Sequence, residues 1–313
     1  MGRHSTWNET DHPRAFDGKF AHAVTGGAPR DGGDKPRRGM PDAITTSDIP
    51  VRGGKELALD YHRDGTVTIS SGKATVRLSE SNFSQLGRLL DRFDAEDTEP
   101  GREETLTDIQ VRGGSAHSTL NALVRKDEDG TVSLHLAPSD DPSYEDMQNA
   151  PALRLNSKDI AAFHNANTRA EAATRVDTGN GDVDLFIGDD DKFTLRHLDD
   201  DGRPKEVKFT PKDFAKLSHA IDAVIDGWDE EDDSLADDEV VTKRTVRTSA
   251  GTINVEIHGP YDGRNPGDRL EITAQDGSWG IVLDGSTERD FAEAISKVEV
   301  AGENLEIYNA SMK

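Results

Sequence analysis

The most constraining feature of this chain is a junction that recurs along it, where hydrophobic periodicity switches from two residues to between three and four. Val76-Arg77-Leu78-Ser79, Leu153-Arg154-Leu155-Asn156 and Val207-Lys208-Phe209-Thr210 share the order apolar, basic, apolar, cap. Four residues beyond each cap stands a large apolar residue: Phe83, Ile160 or Phe214. A fourth version, Ile281-Val282-Leu283-Asp284, reaches Phe291 after a longer turn. Alternation before the junction places one strand face in a core, and Ser, Asn, Thr or Asp then accepts from the first free amides of a helix. After Ser79, Phe83, Leu86, Leu89, Leu90 and Phe93 lie at helical spacing. A strand must therefore end and an amphipathic helix begin at each junction.

Upstream of the first junction, Leu57, Leu59 and Tyr61 alternate with polar residues, as do Val67 and Ile69, then Val76 and Leu78. Asp64-Gly65 between two of these runs signals a hairpin, because a type I′ turn needs positive φ. Longer phrases recur in the same order. Asp48-Ile49-Pro50-Val51-Arg52-Gly53-Gly54 is echoed by Asp108-Ile109-Gln110-Val111-Arg112-Gly113-Gly114, and Asp64-Gly65-Thr66-Val67 by Asp129-Gly130-Thr131-Val132. Self-similarity at this spacing points to duplicated structural units. The expected fold class is α+β: tandem ββββα units, antiparallel sheets each followed by one helix, after a disordered N-terminal arm. The expected division is 1–43 arm, 44–100 unit 1, 101–170 unit 2, 171–227 unit 3, 228–239 acidic linker and 240–313 unit 4, with a last strand at Leu305–Tyr308.

Composition sets what each part can do. The chain holds 61 Asp+Glu against 37 Lys+Arg, a net charge of −24, with 33% hydrophobic residues and no cysteine. No disulfide or thiolate chemistry is open to it. No apolar run approaches the roughly 20 residues that span a bilayer, so no membrane partner is expected. Residues 1–43 carry Val24, Phe16 and Phe20 as their only Leu, Ile, Val or Phe, and are broken by Gly and Pro. Such a segment cannot offset its ordering entropy by burial. It is close to neutral, so the excess acid lies downstream. Residues 226–239 hold nine acids in fourteen, a run that repels itself and extends. It reads as a solvated linker or, with Trp228 and Leu235 as anchors, as an acidic partner motif.

Catalytic and metal constellations are hard to assemble. Ten histidines give no His-Glu-x-x-His pair; His4, His12 and His22 lie in the arm, while His62, His135, His197 and His258 read as exposed strand positions. No phosphate loop, dinucleotide fingerprint or nucleophile elbow occurs. Asp189-Asp190-Asp191 and Asp199-Asp200-Asp201-Gly202 bound the run Phe193–Leu198, where turns are needed, and lack a calcium loop's closing Glu. The expectation is a non-enzymatic protein with no cofactor and no metal.

Two resemblances sharpen the expected role. The junctions Val76-Arg77-Leu78-Ser79-Glu80-Ser81-Asn82-Phe83 and Val207-Lys208-Phe209-Thr210-Pro211-Lys212-Asp213-Phe214 resemble the closing strand and helix of the PC4-like (whirly-type) single-stranded DNA-binding fold. That resemblance implies paired units whose sheets offer basic and aromatic residues to a single strand. The cluster available for it is Tyr61, Arg63, Lys73 and Arg77. The charge opposes it, since nucleic-acid affinity comes from cations releasing counterions, and aromatics are only 5% of the chain. In the arm, Trp7-Asn8-Glu9-Thr10-Asp11-His12-Pro13-Arg14-Ala15-Phe16-Asp17-Gly18-Lys19-Phe20 resembles a His-Pro-Arg…Gly-Lys/Arg-Phe segment of head-associated proteins from phages infecting actinobacteria. It implies a docking peptide in which Trp7, Phe16 and Phe20 are aromatic anchors, Arg14 and Lys19 charged flanks, and His12 and Pro13 part of the motif.

The leading expectation is a phage-encoded structural or accessory protein, head-associated or packaged, that binds a protein partner (a phage head component or a host protein) through its arm, in the host cytoplasm or the virion. The alternatives are a single-stranded nucleic-acid-binding protein and an acidic DNA mimic that occupies a basic groove.

Overall fold

A computed structural model describes residues 39–51, 55–71, 74–95, 98–110, 119–138, 143–149, 152–178, 181–199, 201–226, 240–258, 269–284 and 287–311. The described chain is α+β, with sixteen strands in four antiparallel sheets and five helices. The first sheet is β1 (Ala43–Val51), β2 (Lys55–His62), β3 (Thr66–Ser71) and β4 (Ala74–Ser79), followed by helix α1 (Glu80–Asp94). The second is β5 (Glu103–Gln110), β6 (Thr119–Lys126), β7 (Val132–Pro138) and β8 (Ala152–Leu155), followed by α3 (Ser157–Ala172). Between β7 and β8 lies α2 (Tyr144–Asn149), a departure from the expected ββββα order. The third is β9 (Thr174–Asp177), β10 (Asp182–Ile187), β11 (Phe193–Leu198) and β12 (Pro204–Phe209), followed by α4 (Pro211–Ile225). The fourth is β13 (Val240–Thr248), β14 (Gly251–His258), β15 (Arg269–Ala274) and β16 (Gly280–Asp284), followed by α5 (Glu288–Ser311). Each sheet is a simple up-and-down meander of sequence neighbours.

The junction chemistry explains where strands stop. Ser79 accepts from the amide of Asn82, Asn156 from Lys158 and Asp159, and Thr210 from Asp213, so each caps a helix start. The α3 cap is a full capping box, with Asp159 accepting from the Asn156 amide. Tight turns join β2 to β3 and β6 to β7. Gly65 and Gly130 sit at φ +74° and +81°, where a Cβ is unfavourable. In both turns the preceding aspartate, Asp64 or Asp129, accepts through Oδ1 from the amide and hydroxyl of the following threonine, Thr66 or Thr131.

The chain forms two compact units. One comprises 42–173 with 304–313 and holds the first two sheets. Its helices α1 and α3 pack together, with Phe83 and Phe163 rings 5.1 Å apart. Met147 of α2 sits on Leu123 of the second sheet. The other unit comprises 174–303 with residues 39–41, and holds the third and fourth sheets. Phe193 and Phe214 stack at 4.6 Å there, with Phe209 beside them. Phe83, Phe93, Phe209, Phe214 and Phe291 are all less than 2% exposed, and each contributes roughly 1.5–3 kcal/mol by leaving water. Concentrated burial of this kind lets a chain with so modest an apolar fraction form cores.

The expected last strand at Leu305–Tyr308 is helix instead: α5 runs on to Ser311. Phe291, Ala294, Ile295, Val298, Ala301 and Leu305 are buried, a period near 3.5 that continues through the segment and overrides its local alternation.

Candidate functional site

The residues carrying the docking motif, Trp7, His12, Pro13, Arg14, Phe16, Lys19 and Phe20, lie outside the described residues, as do Lys73 and residues 227–239 of the acidic run. The remaining members of the nucleic-acid cluster can be placed, and strand alternation separates Tyr61 from Arg77. Tyr61 pairs with Val67 and Val67 with Leu78, the face packed into the core. Arg77 pairs with Thr68 and Thr68 with Asp60, the opposite face. Tyr61 is only 5% exposed, so it offers no ring for a base to stack on. Its hydroxyl donates to Glu80 Oε2 at 3.2 Å. Burial first, and the Glu80 carboxylate second, push that phenol above its usual range and keep it a donor.

Arg77 is committed to the turn below it. Its Nε donates to Thr66 Oγ1 at 2.6 Å and its Nη2 to the Asp64 carboxylate at 3.2 and 3.3 Å. Burial works to raise the Asp64 carboxyl, but the Thr66 hydrogen bonds and the Arg77 charge hold it below the ordinary range. Arg63 is exposed at the same hairpin. Arg77 thus serves the geometry of this turn and lies on the face opposite Tyr61.

A groove of about 510 Å³ runs between α1 and α3. Glu80, Ser84, Arg88 and Asp91 line one side, and His164, Asn167, Thr168 and Glu171 the other. Its polar groups largely engage one another. Ser84 Oγ donates to Glu171 Oε1 at 2.5 Å, Asn167 Nδ2 to the same oxygen at 3.1 Å, and His164 Nδ1 lies 2.8 Å from Asp91 Oδ2. His164 also stacks on Tyr308, with centroids 3.8 Å apart and planes 14° from parallel. Such an arrangement knits α1, α3 and Tyr308 together.

The strand histidines are not the exposed positions that alternation suggested. His62 and His197 are 8% and 7% exposed. His62 Nε2 meets Thr68 Oγ1 at 2.7 Å, His197 lies beside the Trp279 ring, and His258 Nε2 is 3.4 and 3.5 Å from Glu256 and Glu271. Cross-strand neighbours enclose them, which the two-residue period cannot reveal. Among the described residues no group of three or more His, Asp or Glu side chains could hold a metal ion. The described residues of the two aspartate clusters lie in turns on either side of β11. Asp191 (φ 55°) donates its amide to the Gly188 carbonyl, and Gly202 (φ 71°) donates to that of Asp199.

The most elaborate polar network was not foreseen from sequence. Asp184, in the middle of β10, is 0% exposed. Arg175 of β9 grips it with Nε on Oδ1 at 2.5 Å and Nη2 on Oδ2 at 3.0 Å. Arg196 of β11 reaches Oδ2 at 3.2 Å, bonds Glu206 of β12 at 2.9 and 3.0 Å, and lies 4.6 Å over the Phe186 ring. Burial pushes the Asp184 carboxyl up, against the pull of the two guanidiniums. The sequence signal was an acid inside the otherwise apolar run Val183-Asp184-Leu185-Phe186-Ile187.

No protein-family model matches this chain, and no curated protein matches it. Among solved structures, it is similar at 11% identity to a putative DNA polymerase III beta subunit from Eubacterium rectale. That alignment covers 78% of this chain and 68% of the other, with a TM-score of 0.11, too low to carry fold or function across.

Proposed function

We propose that this chain is a non-enzymatic, phage-encoded accessory protein, head-associated or packaged, which binds a protein partner through its N-terminal arm in the host cytoplasm or the virion. One observation carries the reading: Trp7, Phe16 and Phe20, flanked by Arg14 and Lys19, stand in a segment with almost no other large apolar residue. Aromatic anchors beside cations, in a stretch with no core of its own, are what a docking peptide needs. Support comes from the described units, where the phenylalanines and Tyr61 are committed to cores. The downstream acid favours encounter with a basic partner surface and disfavours phosphate.

We further read the four sheet-and-helix modules as tandem copies of one ββββα unit, the second with α2 inserted. The matched Asp-Gly-Thr turns and the repeated caps support this. The PC4-like single-strand-binding alternative is weakened by the burial of Tyr61 and the pairing of Arg77 with Asp64.

Deletion of residues 1–25 tests the docking reading. Incorporation into the phage particle should be lost while the thermal midpoint of the body is unchanged; normal incorporation of the truncated protein overturns it. A fluorescence-anisotropy titration with a labelled single-stranded oligonucleotide at low salt separates the alternative. Micromolar binding, weakening steeply with salt and lost in Arg63→Ala with Arg77→Ala, would replace docking as the leading function.

A further inference from the structure

The Arg175–Asp184–Arg196 network does more than join four strands: we propose that it is a clasp that fastens the root of the N-terminal arm, residues 39–41, to the third sheet. The occupant is visible. Arg175 Nη2, already on Asp184 Oδ2, also donates to the Pro41 carbonyl at 2.6 Å. Two residues earlier, the Gly39 amide donates to the Gly202 carbonyl at 2.8 Å, in the turn between β11 and β12. The root is thus held at two points, one charge-assisted. Gly39 has φ +94°, a backbone setting that glycine adopts without strain.

The division of labour follows from geometry. Arg175 is the group that touches the root. Asp184 orients it, because a bidentate guanidinium–carboxylate pair fixes the plane of the guanidinium and aims its remaining proton. Arg196 takes Asp184 from the other side and is itself held by Glu206 and the Phe186 ring. Side-chain exposures of 6% for Arg175, 11% for Arg196 and 0% for Asp184 place the cluster out of water. Three buried charges are expensive there, and apolar residues of similar volume often serve stability as well or better. An apolar replacement could not hold a backbone carbonyl. The clasp fixes where the arm begins, whatever the arm binds.

Hydrogen exchange on the full-length protein tests this. The Gly39 amide should be protected in the wild type. In Arg175→Gln it should exchange about tenfold faster or more, the loss expected for a charge-assisted hydrogen bond, while the amides of β10 and β11 stay protected. Arg196→Gln, which leaves the Pro41 contact in place, should keep Gly39 near its wild-type rate. Unchanged Gly39 exchange in Arg175→Gln, or equal loosening in Arg196→Gln, overturns the clasp. Should Arg175→Gln also open the sheet, the double variant Arg175→Met with Asp184→Leu decides: it leaves no unpaired carboxylate inside the sheet, yet offers the Pro41 carbonyl no donor. It should release Gly39 with the sheet intact, and retained protection would refute the proposal. Partner capture by residues 1–25 is a separate readout, so neither result can masquerade as the other.

Discussion

Single residues in this protein repeatedly do local jobs that their chemistry advertises and their position decides. Gly65 needs positive φ, so Gly65→Ala should cost about 1–2 kcal/mol and Gly65→Asn distinctly less, since Asn tolerates the left-handed region; denaturant midpoints of the two variants check it. Asp213 is a stronger case. The Lys216 hydrogen bond first, then the Ser249 amide and hydroxyl and the Thr210 hydroxyl, hold its carboxyl far below the usual range. Its folded pKa therefore lies below the unfolded value of about 3.9, and its stabilisation is full above about pH 4 and fades as acid drives the pH toward the depressed value. Asp213→Ala should cost about 1–3 kcal/mol near neutral pH, by orphaning the Ser249 amide. The gap from wild type should narrow on acidification toward about pH 2; a gap independent of pH would show that the carboxylate charge does not matter. The caps and turn aspartates were legible in the sequence because their partners lie within three residues. The pairing of Arg77 with Asp64, and the burial of Tyr61 opposite it, were not, because they depend on which strand faces meet across the sheet.

At the scale of elements, the change of period at each junction located four helix starts, and Phe83, Ile160, Phe214 and Phe291 all point into cores, each 1% exposed or less. Two elements escaped that reading for physical reasons. Helix α2 is only six residues long, too short for periodicity to register, and it forms where Met147 can cover Leu123. The end of α5 was masked by a brief alternation at Leu305–Tyr308, whereas the helical stripe from Phe291 to Leu305 extends over fifteen residues of burial pattern. Within that stripe lies Gly302, a residue that ordinarily weakens a helix by about 1 kcal/mol relative to alanine. Here a Cβ would stand 2.3 Å from Cζ of Phe193, a buried ring stacked on Phe214. Gly302→Ala should therefore not deliver the propensity gain; it should destabilise by about 1–3 kcal/mol through overpacking. Relief by Phe193→Leu in the same background, measured as a double-mutant cycle, would tie the cost to that contact.

At the scale of the molecule, the net charge of −24 does not prevent four sheets from forming, because among the described residues the buried acids are Asp159, Asp184 and Asp213 while phenylalanines, leucines and isoleucines fill the cores. Each of these three has a partner: Asp184 two arginines, Asp213 Lys216 and the Ser249 amide, and Asp159 the Asn156 amide. What remains outside is mostly unbalanced. Exposed pairs such as Arg203–Asp201, with side chains 52% and 70% exposed, offer at most about 1 kcal/mol each, and they draw on the minority of basic residues. Self-repulsion should therefore outweigh attraction at the surface, and screening it should help the folded state. At about 0.1 M salt the Debye length is about 10 Å, and at 1 M about 3 Å, so surface repulsion is curtailed while the buried Arg175–Asp184 pair is barely touched. The thermal midpoint should rise as sodium chloride increases from about 0.02 to about 0.5 M. In Asp184→Asn the midpoint should be lower throughout, with the same upward slope, since the variant removes a shielded charge and leaves the surface field in place. A midpoint that falls with salt would mean that attractive surface pairs dominate after all. The excess acid would then be organised into networks, and its most natural use would shift from choosing a basic partner to bracing the sheets within each unit.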